Sequence, residues 1–240
     1  MKPVRLYCVP HAGSTSAVYR PWQRVAPPSW QVAGLDLPGR GTRARERKIE
    51  DYRSLVKVLA EHVTTDLTRA GETGKPPRYA LFGHSFGAML ALAVAGQVAA
   101  VLGEPPVCAV LSAALPPRLQ PRVDEVASLD DDALIDKVVA DGGTAPELLS
   151  SRGMTGYLVR LLREDLVLRQ QFREDLLLRV DFPLVLVVGR DDPYVSPEQM
   201  WLWAEHTSAT SRRVELPGGH FAAMRAPQDI IAIVGEETGS

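Results

Sequence analysis

The sequence has little cysteine and no long apolar run, and each shortage excludes a class of protein. Cys8 and Cys108 are its only cysteines, too few and too far apart for a disulfide scaffold or a redox motif. The longest apolar stretch, residues 86–96, has 11 residues, whereas a helix needs about 20 to cross a bilayer. Arg5 interrupts the N-terminal apolar run, which therefore lacks the core of a signal peptide. We expect a cytoplasmic protein with both cysteines reduced and no membrane association.

An excess of charge is also missing. Lysine and arginine total 27 against 29 acidic residues, a net charge of −2, so the overall balance gives no sign of a nucleic-acid partner. Hydrophobic residues make up 45% and charged residues 23%, which is typical of globular domains. At 240 residues, the chain fits one large domain or two small ones.

Short apolar runs typical of strands alternate with helical patterns. This alternation predicts an α/β fold with a mostly parallel sheet covered by helices on both faces. The predicted strands are 4–9, 31–35, 78–82, 107–112, 184–188 and 213–216, and the predicted helices are 52–70, 88–102, 197–206 and 227–236.

One interval, about 116–181, shows only helical periodicity. It is too long for a crossover between two strands, so we predict a helical lid over one end of the sheet, within a single domain spanning 1–240. The alternative is an enlarged packing layer with no moving part. Glycines permit positive φ, and segments 142–144 and 151–153 are therefore candidate turns or hinges.

The segment Gly-His-Ser-Phe-Gly at 83–87 carries the chemistry. It follows a predicted strand and precedes a helix rich in Ala and Leu. A G-x-S-x-G pentapeptide in that context makes a sharp turn that presents the serine at the end of the sheet. Ser85 is therefore the predicted nucleophile, and the N–H of Phe86 is a predicted oxyanion donor.

A serine nucleophile needs a base and an acid that orients it, and in this architecture the chain order is serine, acid, histidine. His220 follows the last predicted strand in a glycine-rich loop and is the predicted base. His206 lies after Ser85 too, but we expect it to be a solvated helix residue. The remaining histidines, His11, His62 and His84, precede or adjoin the serine.

Two adjacent aspartates compete for the role of the acid. Asp191 and Asp192 follow the predicted strand 184–188, and successive side chains cannot both point at one imidazole. The position three residues after Gly189 favours Asp192. A second oxyanion donor should come from the loop 10–14, where small residues let the backbone approach a substrate carbonyl.

The chain resembles the type II thioesterases, discrete α/β-hydrolases that serve polyketide and nonribosomal peptide synthases. The resemblance covers almost the whole length and rests on these segments: Pro-His-Ala-Gly at 10–13, Leu-Pro-Gly-Arg-Gly-Thr-Arg at 37–43, the serine pentapeptide, Asp-Gly-Gly-Thr at 141–144, Leu-Arg-Glu-Asp at 162–165, 189–193 and Pro-Gly-Gly-His-Phe at 217–221. It implies a triad of Ser85, Asp192 and His220, with the N–H groups of Ala12 and Phe86 as oxyanion donors. Ser14 stands where the family often has glycine, and Phe86 where it often has methionine.

The resemblance implies hydrolysis of an acyl group from the phosphopantetheine arm of an acyl or peptidyl carrier protein, through an acyl-serine intermediate. No cofactor or metal ion is implied, and we expect a monomer. Carrier domains are generally acidic, so five basic residues around one acidic residue, Glu46, form a candidate docking surface: Arg40, Arg43, Arg45, Arg47 and Lys48. Two alternatives stay open, an esterase acting on a free small ester and an inactive hydrolase fold that only binds.

Overall fold

Six parallel strands form one twisted sheet in the computed structural model, which describes residues 3–71, 77–121, 125–144, 149 and 151–239. The strand order is β2-β1-β3-β4-β5-β6, and every neighbouring pair is parallel. Parallel neighbours need crossover connections, which the helices between the strands supply. The strands are β1 (Val4–Val9), β2 (Trp30–Gly34), β3 (Arg78–His84), β4 (Ala109–Ser112), β5 (Leu184–Gly189) and β6 (Ser211–Leu216).

The helices cover both faces of the sheet because alternate strand residues point to opposite sides. On one face Tyr7 and Leu81 pack in a core with residues of α1 and α2. On the other face Leu6 and Phe82 pack with residues of the 3-10 helix Ser16–Arg24 and of α7. The helices are α1 (Tyr52–Ala70), α2 (Phe86–Leu102), α3 (Asp131–Ala140), α4 (Arg152–Gln170), α5 (Pro197–Trp201), α6 (Ala222–Arg225) and α7 (Pro227–Glu237).

The sequence predictions match this architecture, with shifts at several ends. The bounds of β1 and α1 agree, and α2 begins two residues earlier than expected, directly after Ser85. Cys8 lies in β1, whereas Cys108 lies just before β4, and both are buried free thiols. The predicted helix 197–206 is a short α5 followed by 3-10 helix.

The chain between β4 and β5, called the helical insertion below, holds α3 and α4. Residues 122–124, 145–148 and 150 of the predicted lid lie outside the described residues. Ser151 caps α4 by accepting a hydrogen bond from the N–H of Met154, so the predicted turn at 151–153 is a helix start. Gly142 does adopt a positive φ, of 80°, at the end of α3. The single-domain organisation and the lid role stay predictions. Among the described residues, no helix is long and apolar enough to span a bilayer.

Candidate active site

The turn between β3 and α2 places Ser85 in a strained conformation. Its φ is 53° and its ψ −118°, a region that costs a residue other than glycine about 1–3 kcal/mol. The flanking glycines permit this turn because a Cβ on Gly83 would lie 2.1 Å from the carbonyl oxygen of Gly87. A Cβ on Gly87 would lie 2.4 Å from the carbonyl oxygen of Val9. Glycine is therefore required at positions 83 and 87, because the backbones of β1, β3 and α2 are in contact there.

Asp192 and His220 meet at the ends of β5 and β6. Nδ1 of His220 lies 2.9 Å from Oδ2 of Asp192, whose side chain is fully buried. The other carboxylate oxygen accepts hydrogen bonds from the N–H groups of Tyr194 and Val195 at 2.9 and 3.2 Å. Asp191 is exposed. Of the two adjacent aspartates, the structure therefore brings Asp192 to the imidazole.

Glycine again sets the approach of the two loops. A Cβ on Gly189 would lie 2.2 Å from the carbonyl oxygen of Gly219. The N–H of Asp191 donates to the carbonyl oxygen of Gly218 at 3.0 Å. The loop that carries Asp192 is thus hydrogen-bonded directly to the loop that carries His220.

A cavity of about 510 Å³ joins the predicted residues, within the usual range of ligand pockets. Ser85, His220, Ala12 and Phe86 all line it. The helical insertion contributes most of the opposite wall, which is mainly apolar with several polar groups. Its lining residues include Val126, Leu134, Lys137, Val138, Asp141, Gly143, Leu162, Leu166, Arg169 and Phe172.

The backbone N–H groups of Phe86 and Ala12 are the two predicted oxyanion donors. Phe86 is the first residue of α2, where N–H groups have no partner within the helix, and the helix dipole favours negative charge nearby. Within the part of the chain that the structure describes, neither this N–H nor that of Ala12 has a hydrogen-bond partner. Both predicted oxyanion donors are therefore available to a ligand oxygen.

The chain is similar to known proteins over nearly its whole length. The model of the thioesterase domain family matches residues 4–237. The chain belongs to the thioesterase family. This thioesterase chain is 30% identical over 218 residues to the probable cadicidin biosynthesis thioesterase of Streptomyces griseus, covering 91% of its own length and 58% of that relative.

Solved structures of thioesterases share the fold over nearly the whole chain. The RedJ thioesterase from the prodiginine biosynthetic pathway of Streptomyces coelicolor superimposes with a TM-score of 0.80 at 31% identity, over 98% of this chain and 91% of that one. The type II thioesterase BorB from the borrelidin biosynthetic cluster gives 0.83 at 27% identity, over 98% and 92%. The predicted α/β-hydrolase fold and the resemblance to type II thioesterases are confirmed. The catalytic roles of the individual residues stay predictions.

Buried imidazoles lie around His220, the predicted base of this thioesterase. Burial is the main cause that lowers the pKa of His11 to about 4; the hydrogen bond with the carbonyl of Ala12 opposes this shift, and the neighbouring His220 adds to it. Burial also lowers the pKa of His84 well below its usual value. The ring centroids of His84 and His220 are 5.1 Å apart. His11 and His84 are therefore neutral near pH 7 and add no positive charge beside His220.

Arg40 does not belong to a docking surface, contrary to the sequence prediction. It is only 4% exposed and makes two hydrogen bonds to Asp165 of α4, at 2.7 and 2.6 Å. The fully buried carboxylate of Asp165 draws the guanidinium into the interior. The segment 162–165 was part of the family resemblance, but nothing local in it shows that its last residue is a buried partner of Arg40.

The rest of the predicted basic surface is largely paired. Arg43 forms an ion pair with Glu46 at 2.5 Å. Lys48 lies 3.1 Å from Glu50 and 3.3 Å from Glu164. Two exposed arginines, Arg45 and Arg47, have no ion-pair partner among the described residues. The candidate docking surface is reduced to these two.

Two further residues were not predicted correctly: one prediction is wrong, and one residue was not predicted. His206 is 7% exposed, not solvated, because its Nδ1 lies 2.6 Å from the carbonyl oxygen of Leu178 in the chain leading to β5. Tyr194, which the sequence analysis passed over, places its ring edge-on to His220 at 5.2 Å. Its hydroxyl donates to Asp141 of the insertion at 2.5 Å. The contact links the acid loop to the far wall of the cavity.

Proposed function

We propose that this chain hydrolyses acyl thioesters on the phosphopantetheine arm of carrier proteins, through an acyl-serine intermediate. One observation carries the proposal: Ser85, on its positive-φ turn, shares a cavity with His220, which is hydrogen-bonded to the buried Asp192. Relatives named as thioesterases of cadicidin and prodiginine biosynthesis support the choice of a thioester substrate. The proposal includes a cytoplasmic monomer that acts on a separate carrier protein.

The reaction follows from the positions of these groups. Ser85 Oγ attacks the thioester carbonyl carbon while His220 accepts the hydroxyl proton, and Asp192 orients the imidazole and stabilises its positive charge. The N–H groups of Ala12 and Phe86 bind the carbonyl oxygen as it becomes an oxyanion. The C–S bond breaks, and the pantetheine sulfur takes the proton from His220 and leaves as a thiol. Water, losing a proton to His220, then attacks the acyl-serine carbonyl; the ester C–O bond breaks, His220 returns the proton to Ser85 Oγ, and the carboxylic acid is released.

The insertion wall is suited to an acyl chain. Leu134, Leu162 and Leu166 come from a separate apolar cluster of α3 and α4, and all three line the cavity. Phe86 stacks on Phe172 at 5.5 Å between ring centroids, which closes the wall between α2 and the insertion. We propose that the insertion, residues 116–181, acts as a lid that holds the chain while the thioester lies beside Ser85.

The proposal is tested by trapping and removing the nucleophile. A fluorophosphonate should label the protein stoichiometrically at Ser85, and Ser85→Ala should abolish labelling and reduce kcat by about 10⁶. Ser151→Ala, which removes only a helix cap, is the matched control and should keep full labelling. Retained hydrolysis in Ser85→Ala would contradict the covalent mechanism.

Substrate class is tested separately. The wild-type enzyme should hydrolyse acyl-pantetheine thioesters faster than matched oxygen esters, and faster again when the thioester is attached to a carrier protein. Faster turnover of the oxygen ester would instead identify an esterase. Absence of both activities and of labelling in folded protein would identify a binding protein.

A further inference from the structure

The two peptide groups on either side of the Ala12 Cα are each held by side chains. The first joins His11 to Ala12, and its carbonyl oxygen accepts hydrogen bonds from the N–H of Ser14 at 3.1 Å and from Ser14 Oγ at 2.8 Å. In a trans peptide the C=O and the N–H point in opposite directions. Anchoring this carbonyl therefore sets the direction of the Ala12 N–H.

The second peptide joins Ala12 to Gly13 and is held at both ends. Its N–H donates to Oδ2 of Asp165 at 2.8 Å, and His11 Nδ1 lies 3.1 Å from its carbonyl oxygen. Gly13 has a φ of 74°, and a Cβ there would lie 2.6 Å from the side chain of Leu162. Leu162 and Asp165 are three residues apart on α4, hence on one side of it. One side of an insertion helix thus fixes the loop that follows β1.

Arg40 in turn fixes Asp165. Its two hydrogen bonds engage both carboxylate oxygens, a bidentate arrangement that restricts the orientation of the carboxylate. Arg40 is 4% and Asp165 0% exposed. Because desolvation offsets most of the attraction in a buried ion pair, such a pair contributes little net stability compared with apolar side chains of similar size. The pair therefore fits a role in positioning better than a role in stability.

We infer that Asp165, oriented by Arg40 and assisted by Ser14, is a positioning residue that aims the Ala12 N–H at the developing oxyanion. The inference rests on the proposed function, which makes Ala12 an oxyanion donor. Donors contribute to catalysis when they are fixed in place before charge develops. Ser14 Oγ adds a second hydrogen bond to the His11 carbonyl, which polarises that peptide and strengthens its N–H as a donor.

Two double variants separate positioning from stability, because both remove the ion pair and neither leaves a lone buried charge. Arg40→Gln with Asp165→Asn keeps an acceptor for the Gly13 N–H. Arg40→Met with Asp165→Leu removes that acceptor. We expect the Met/Leu variant to have a kcat about 10- to 100-fold below that of the Gln/Asn variant, with KM changed little.

The readout includes binding of a transition-state mimic. A trifluoromethyl ketone analogue of the acyl-pantetheine substrate forms a tetrahedral adduct with serine, and its affinity should fall in parallel with kcat. Thermal unfolding checks that both variants are folded. Equal kcat and equal inhibitor affinity in the two variants would overturn the inference. Turnover that still depends on Ser85 would show that the proposed function stands even then, whereas turnover independent of Ser85 would refute the proposed function itself.

A single substitution in the loop gives a milder test. Ser14→Ala keeps the backbone hydrogen bond to the His11 carbonyl and removes only the Oγ bond, so kcat should fall by about 2- to 10-fold. Ser16→Ala is the matched control, since its Oγ donates to Asp36 at 2.8 Å, away from Ala12. Equal kcat values for the two serine variants would show that Ser14 does not help to position the Ala12 N–H.

Discussion

The strand ends and the helical insertion form opposite sides of one cavity, and they are held in place differently. At the strand ends, main chain approaches main chain: the Cβ positions of Gly83, Gly87 and Gly189 would lie within 2.4 Å of carbonyl oxygens. In the insertion, side chains make the contacts, through the apolar cluster that includes Leu134 and Leu162. Backbone contacts leave almost no choice of residue, whereas apolar side chains can be exchanged if volume is kept.

This difference separates chemistry from specificity. The strand ends carry the groups proposed to react, and their geometry depends on glycine positions that tolerate no Cβ. The insertion shapes the space beyond Ser85 and can vary without disturbing the turn at Ser85. Asp165 is the exception. It lies on α4 but does not line the cavity, and its carboxylate instead holds the loop at Gly13.

The largest expected effect is at the strand ends. Asp192→Asn should lower kcat by about 10⁴ because the imidazole loses its orientation and its countercharge. Asp191→Asn is the matched control, because Asp191 is exposed, and it should keep near-normal kcat. Steady-state kinetics on an acyl-pantetheine thioester measures both. Loss of turnover in Asp191→Asn together with its retention in Asp192→Asn would reverse the assignment of the acid.

A pair of leucines tests the separation directly. Leu92 is fully buried in α2 and does not line the cavity, whereas Leu166 of α4 is 3% exposed and lines it. Leu92→Ala should lower the free energy of unfolding by about 2–5 kcal/mol and leave acyl-chain preference unchanged. Leu166→Ala should shift kcat/KM toward bulkier chains by about 10-fold.

Urea unfolding and a series of acyl-pantetheines of increasing length measure the two leucine variants. If Leu92→Ala changes the dependence of kcat/KM on acyl-chain length as much as Leu166→Ala does, the separation of chemistry from specificity is wrong.

Acid stability should also depend on the strand ends, since the insertion contains no histidine. The pKa of His11 is lowered to about 4 in the folded protein, below its ordinary 6.5, so the unfolded chain binds the proton first as pH falls. The stability that the neutral His11 contributes is fully present above pH 6.5 and is lost between pH 6.5 and about pH 4. From pH 7 to pH 5 the loss due to His11 should be about 2 kcal/mol.

Urea unfolding at the two pH values measures this loss. His11→Gln should reduce the loss, whereas His62→Gln, on an exposed position of α1, should leave it unchanged. An identical loss in His11→Gln and the wild type would show that His11 is not its source.

The smallest expected effect concerns Arg45 and Arg47, outside both regions. Reversing both charges should raise KM for a carrier-bound acyl group by a few-fold at low salt, because exposed charges act mainly on encounter. The same variant should hydrolyse free acyl-pantetheine at the normal rate. Added salt should remove the difference from the wild type. An unchanged KM on the carrier at low salt would exclude these arginines from docking.

The sequence predicts the strand ends well because their signals are local. The turn at 83–87 needs glycine within two residues of Ser85, and the apolar runs of the strands are short and continuous. The choice of Asp192 over Asp191 also follows from spacing along one loop. Local sterics determine these features, so they appear in the sequence itself.

The insertion is predicted less well because its decisive contacts are distant in sequence. Arg40 and Asp165 are 125 residues apart, and a basic segment gives no sign that one of its arginines is buried. His206 was misassigned for the same reason, since its acceptor, Leu178, lies 28 residues away. Helical periodicity predicts which side of α4 is buried but not what that side contacts.

The positive φ of Ser85 has a consequence for how such an enzyme can evolve. A glycine at that position would relieve the backbone strain. The fold would then be more stable, but the proposed nucleophile would be lost. Stabilising substitutions found by selection for folding alone would therefore favour loss of activity at this turn. The serine persists only where turnover is itself selected, so the proposed nucleophile is also a residue that selection for folding alone would replace.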